Sequence, residues 1–161
     1  MPGTTRDDAI VRAMIVVVVG CGRVGSAIAK SMLVEGHEVS VLDENPEAIA
    51  LLNRGQDRSW EDLGGSFTVG TALEIDALLA AGIDRADAFV ASTDGDNTNL
   101  VIAQIAQRRF DVERVVVRVL DPGRARWYSE QGLQTVCPTQ TAIELLEAAV
   151  RGQVPFEGVS G

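Results

Sequence analysis

Long apolar runs are missing from this chain. Met14–Val19 is among the longest, far short of the roughly 20 residues that a membrane-spanning helix needs. Cysteine is scarce. Cys21 and Cys137 lie far apart and belong to no C-x-x-C pair, so neither a disulfide framework nor a zinc site is expected, and reduced thiols are the default. Positive charge is also short. With 14 Lys+Arg against 23 Asp+Glu, the formal net charge of −9 repels nucleic acid and anionic lipid. The N-terminus has no basic region followed by an apolar stretch; Thr4-Thr5-Arg6-Asp7-Asp8 is polar and acidic, unlike a secretory signal. Catalytic groups are few. His37 is the only histidine, Tyr128 has no lysine four residues later, and no serine sits in a nucleophile elbow. The expectation is a soluble cytoplasmic protein that is not an enzyme, does not bind nucleic acid and does not insert into a membrane.

What the chain does have is enough apolar character for one core. Hydrophobic residues make up 46% of the 161, and a domain near this size buries roughly 70% of its unfolded surface. From Ala13 onward, short β-branched runs alternate with longer helical stretches, the pattern of βα units on a parallel sheet. Strands are expected at Met14–Val19, Glu38–Leu42, Ser66–Val69, Ala88–Ala91, Arg114–Val119 and Thr135–Val136. Helices are expected at Val24–Glu35, Pro46–Arg54, Leu73–Ala80, Asn97–Arg109, Arg124–Gln131 and Thr139–Val150. In the third, Leu73, Ile75, Leu78 and Leu79 mostly share a face and Gly82 marks a stop; in the sixth, Thr139 or Thr141 is the cap ahead of a stripe of Ile143, Leu146 and Val150. Right-handed crossovers and a glycine turn after the first strand select an α/β fold: a Rossmann-like, doubly wound, parallel six-stranded sheet of order 3-2-1-4-5-6. The domain is placed at residues 13–151, between flexible tails at 1–12 and 152–161. Trp60 is expected to anchor the polar connection Asn53–Gly65 by packing.

Gly20-Cys21-Gly22-Arg23-Val24-Gly25 fits G-x-G-x-x-G at a strand-to-helix junction, the context that this motif requires. Gly20 allows the tight turn, Gly22 lets a phosphate approach the backbone, and Gly25 lets the helix close on the sheet. Backbone N–H groups and the helix dipole then face an anion. Asp43, with Glu44 beside it, stands at the end of the second strand, roughly 20 residues beyond the turn, where a carboxylate accepts from ribose hydroxyls. A 2′-phosphate would be repelled there, so NAD or an adenosine nucleotide is favoured over NADP. Arg23 is read as a phosphate partner, with a plain surface arginine as the alternative, and Cys21 as a small packing residue. At later strand ends, Gly70-Thr71-Ala72 and the run from Ser92 through Thr93 to Asn97 border the expected crevice. Asp94 or Asp96 in that run would serve equally well as a helix cap. Arg118 interrupts an apolar strand and needs an anionic partner, either a structural carboxylate or a ligand. His37 opens the second strand at the edge away from the crevice, and Trp127 and Tyr128 are read as packing or interface residues.

Three pieces, taken in order, carry a resemblance: "VVVVGCGRVGSAIAKSMLVEGHEVSVLDEN", "VGTALEIDALLAAGIDRADAFVASTDGDNTNLVIAQIA" and "VVVRVLDPGRARWYSEQGLQTVCPTQTAIELL". Together they resemble the N-terminal RCK (KTN, TrkA-N) domain of bacterial Trk/Ktr potassium-uptake regulatory subunits and ligand-gated potassium channels. The resemblance covers residues 13–151. It implies a cytoplasmic regulatory domain that forms dimers and then rings, held at the inner face of the membrane by an integral-membrane potassium transporter or channel subunit. It implies that NAD(H), ATP, ADP or AMP binds the glycine crevice and gates that partner. By position, Gly20, Gly22 and Gly25 line the phosphate turn, Arg23 meets phosphate, Asp43 holds ribose and Thr93 borders the crevice. Where the family usually has Gly-Asp-Ala, this chain has Gly70-Thr71-Ala72. The competing expectation is an NAD-dependent oxidoreductase fragment without its substrate domain.

Overall fold

The structure is a computed structural model, described here for residues 12–153. Both tails expected from sequence lie outside the described residues, apart from Arg12, Gly152 and Gln153. Six strands form one parallel sheet: β1 Ile15–Val19, β2 Glu38–Asp43, β3 Ser66–Val69, β4 Ala88–Ala91, β5 Arg114–Arg118 and β6 Gln134–Val136, in the order β3-β2-β1-β4-β5-β6. This is the Rossmann-like, doubly wound sheet that the βα alternation implies. The helices are α1 Arg23–Val34, α2 Ile49–Asn53, α3 Ile75–Ala80, α4 Asp96–Arg108, α5 Pro122–Glu130 and α6 Pro138–Val150.

Side chains alternate across a strand, so β1 serves two cores. Val17 and Val19 join Leu78 of α3, Leu100 and Ile102 of α4 and Ala125 of α5 on one face, while Val16 and Val18 join Ala29 of α1, Leu52 of α2 and Trp60 on the other. Burial on both faces explains why β1 reads IVVVV with no polar alternation. Register aligns Val19 with both Leu42 and Ala91. The carboxyl ends of β1, β2 and β4 therefore finish together where the strand order reverses, the place at which open α/β sheets form a crevice.

Several boundaries differ from expectation. The second helix starts as a 3-10 turn at Pro46–Ala48, because the Asn45 side chain accepts from Glu47 N at 3.0 Å and Pro46 fixes the first position. The third begins only at Ile75, since Glu74 is extended; Leu73 and Leu79 are exposed, and Leu78 alone is fully buried. Gly82 does stop it, at φ +91°. In α6 the cap is Cys137, whose Sγ accepts from Gln140 N at 3.4 Å, and neither threonine serves. The stripe on α6 exists but is uncovered: Leu146 is 67% and Val150 88% exposed.

Trp60 and His37 fill the structural roles expected of them. Trp60 is buried and donates from Nε1 to Ser66 O at 3.0 Å, and Gly65 leaves room for its indole. His37 accepts from Met14 N at 3.1 Å, at the amino-terminal edge of the sheet.

Candidate functional site

The strand-to-helix turn is shaped by what each glycine leaves unfilled. Gly20 has φ +100°, and a Cβ there would stand 2.5 Å from Ser92 O and 2.7 Å from Thr93 N, so only glycine lets β1 pass the end of β4. At Gly25 a Cβ would run into the Gly20 carbonyl. At Gly22 it would meet nothing within 4 Å, because this residue faces open space. Gly22 is also the N-cap of α1 and offers no side-chain cap, so the leading N–H groups of a 12-residue helix face outward without a side-chain acceptor.

Asp43 reaches this turn from β2. Its Oδ2 accepts from Cys21 N at 2.7 Å and its Oδ1 from Asn45 N at 2.8 Å. A carboxylate has roughly four acceptor sites, so two backbone donors orient it and leave capacity for a ligand hydroxyl. Cys21 lies beneath, buried, with its Sγ donating to Ala48 O at 3.4 Å. Burial above all, and then the Asp43 charge, push its thiol up to about 11 against a small opposing effect of Lys30. The thiol stays protonated at neutral pH and acts as a packing residue.

Around the turn lies a crevice of about 700 Å³. Of the residues expected at the site, it is lined by Gly20, Cys21, Gly22, Asp43, Glu44, Gly70, Thr71, Ala72, Ser92 and Thr93. Four others stand outside the lining. Gly25 is packed against Gly20, Arg23 and Val24 are exposed on the first turn of α1, and Asn97 accepts from Arg124 Nη2 at 2.6 Å, on the side of α5. Ser92 lines the wall, but its hydroxyl donates to Val19 O at 3.1 Å and serves to tie β4 to β1.

The loop after β4 is held by residues that sequence reasoning did not assign. Asn99 is buried; its Oδ1 accepts from Thr93 N at 2.9 Å and from Thr93 Oγ1 at 2.6 Å, while its Nδ2 donates to Thr93 O at 3.0 Å and Arg118 O at 2.9 Å. Arg118 Nη2 donates to Thr93 O at 2.7 Å and lies 3.6 Å from Asp94 Oδ1, with its buried Nε unpartnered. The partner of Arg118 is thus a carbonyl first and an exposed carboxylate second. Neither aspartate caps α4, whose N-cap is Gly95; Asp96 instead accepts from Leu120 N at 2.8 Å and Asp121 N at 3.0 Å, fixing the start of α5. Also unassigned by sequence were Ala48, Leu51 and Leu73 on the apolar wall and Asp94, Gly95 and Thr98 at the β4 end. The β4-end residues fall inside the polar run already singled out, whereas Leu73 carried a misleading signal as a helix-face residue. Among the described residues no group of three or more His, Cys, Asp or Glu is placed to hold a metal ion.

A family model described as the TrkA-N domain matches residues 16–139. The Trk system potassium uptake protein TrkA of Streptomyces coelicolor is 39% identical over 134 residues, covering 83% of this chain and 57% of that protein. The chain therefore spans a little over half the length of this curated relative. Among solved structures, the Kef CTD of Shewanella denitrificans in AMP-bound form has a TM-score of 0.67 at 24% identity, covering 88% of this chain and 83% of that one. The GsuK channel bound to NAD has a TM-score of 0.71 at 19% identity, covering 88% of this chain and 24% of that one. At those identities the two structures share the fold.

Proposed function

The chain belongs to the TrkA-N domain family, and on that premise we propose that it is the nucleotide-binding regulatory domain of a potassium uptake system, taking NAD(H) or an adenine nucleotide in the crevice. One observation carries this reading: the open face of Gly22 and the free N–H groups of α1 stand beside an Asp43 carboxylate that the turn itself orients. The turn suits phosphate and the carboxylate suits ribose. Apolar walls from Leu42, Ala48, Leu51 and Ala72 suit a base.

The regulatory role is supported by the relatives, which are named as potassium uptake proteins. A cytoplasmic place beside an integral-membrane transporter or channel subunit is part of this proposal, supported by the relatives' names as potassium uptake proteins. Gating requires that the nucleotide bind two arrangements of the assembly with different affinity, and couplings of about 1–3 kcal/mol are usual. The uncovered apolar stripe of α6 supports self-association.

Calorimetric titration with NAD, NADH, ATP, ADP and AMP tests the reading. Binding is expected near micromolar, about −8 kcal/mol, for at least one of them. Asp43→Ala is expected to weaken it about tenfold or more while circular dichroism shows the fold retained. Absence of binding by all five nucleotides would sink the proposal.

A further inference from the structure

Part of the apolar wall of the crevice rests on a weak element. Ala48 ends the 3-10 turn and Leu51 belongs to α2, a helix of five residues with one buried side chain, Leu52. A helix this short has little stability of its own, so its place is set by what grips it. It has no basic residue in its last turn, and among the described residues no backbone N–H outside the helix reaches the carbonyls of Leu51 or Arg54. Lys30 supplies the missing cation from α1. Its Nζ donates to Leu51 O at 2.9 Å and to Arg54 O at 3.4 Å. An ammonium on the carbonyls of a helix C-terminus satisfies orphan acceptors and offsets the negative end of the dipole. Cys21 Sγ holds the other end of the segment by donating to Ala48 O at 3.4 Å. Leu51 is therefore gripped through its carbonyl while its residue lines the crevice; Lys30, half-buried on α1, stands outside the lining.

We propose that Lys30 is a positioning residue for the nucleotide base: by seating α2 it fixes Ala48 and Leu51 as the wall on which the base rests, without touching the ligand. The inference rests on the nucleotide-binding reading above. A ribose held by Asp43 at the end of β2 places its base against the segment that follows β2, and Ala48 and Leu51 stand in that segment. Such a wall holds a flat base by close contact, and a gap of about 0.5–1 Å already forfeits about a quarter to a half of the dispersion attraction. NAD, NADH, ATP, ADP and AMP all carry the same adenosine, so a displaced wall costs each of them the same factor. Loss of the Lys30 charge acting directly on the ligand would behave differently, weakening binding more as ligand charge rises, most for ATP. The series of ligands separates the two effects.

The test is equilibrium titration of the full chain with these five nucleotides in metal-free buffer, for the wild type, Lys30→Met and Lys30→Arg. Methionine keeps much of the apolar stem and removes the ammonium, and arginine restores a charged donor. Lys30→Met is expected to weaken every nucleotide that the wild type binds by about five- to tenfold, a factor constant within about twofold from AMP to ATP, and Lys30→Arg to recover most of the loss. Amide exchange in the unliganded protein should quicken at residues 48–54 in Lys30→Met and stay unchanged across β1 and β4, which shows the fold retained. Unchanged affinity in Lys30→Met, a loss that grows from AMP to ATP, an equal loss in Lys30→Arg, or exchange at residues 48–54 equal to that of the wild type overturns the proposal and leaves the crevice a nucleotide site. A wild type that binds none of the five overturns the underlying reading and this one with it.

Discussion

Gly22 and Gly25 belong to one motif but do opposite things, and substitution separates them. An alanine at Gly25 drives its Cβ into the Gly20 carbonyl, a backbone atom that cannot move without opening the turn. Gly25→Ala is therefore expected to cost about 1–3 kcal/mol of stability, the range of overpacking, measured by urea denaturation. An alanine at Gly22 meets nothing within 4 Å, and the backbone there, at φ −84°, suits any residue. Gly22→Ala is expected to leave unfolding within about 0.5 kcal/mol of the wild type and to weaken nucleotide binding, because the new methyl occupies the space from which phosphate approaches. Equal effects of the two alanines on stability would contradict the division of roles. The Gly20 and Asp43 positions were readable in the sequence because motif spacing encodes them. That Asp43 accepts from the N–H of Cys21 was not readable, since the donor is a backbone group 22 residues away and leaves no trace in residue type.

Strand β1 was legible because burial on both faces writes it as the unbroken β-branched run IVVVV, and the shorter mixed runs Ser66–Val69 and Ala88–Ala91 also lie at their expected bounds. The helices were less so. Leu73 has the residue type and spacing of a helix-face residue, yet the extended backbone at Glu74 leaves it in the crevice wall. The β4–α4 connection was hardest, because its organiser, Asn99, sits inside α4 and looks like an ordinary polar helix residue. Buried beneath Thr93, it satisfies that residue's N–H and carbonyl together with the carbonyl of Arg118. Asn99→Leu, close in size but unable to make these bonds, is expected to destabilise the protein by about 1–3 kcal/mol, the cost of leaving buried backbone groups unpaired. It should also loosen the β4 end of the crevice. Chemical denaturation gives the first effect, and amide exchange at Thr93, Asp94 and Gly95 the second. Unchanged exchange in the variant would show that Arg118 alone holds the loop.

At the scale of the molecule, the sheet is covered by helices that bury at least one side chain, with one exception. α6 buries none, and Ile143, Leu145, Leu146 and Val150 present apolar surface to solvent. Its apolar stripe is visible in the sequence, but periodicity reports that a helix has an apolar face and not what lies against it. Charge argues against loose association here: with a formal net charge of −9 the surfaces of two copies repel at long range. A self-contact must therefore be short-ranged and apolar, which an isologous pairing of two α6 stripes supplies, as the same patch faces itself across a two-fold axis. Sedimentation velocity should show a dimer or larger species for the wild type. Leu146→Glu, which places a charge in the middle of the stripe at a position already 67% exposed, should shift the protein to monomer without lowering its unfolding midpoint at low protein concentration. Because no residue of α6 lines the crevice, nucleotide affinity of the isolated subunit should stay within about twofold. A wild type that sediments as a monomer at tens of micromolar would remove self-association as the role of this face.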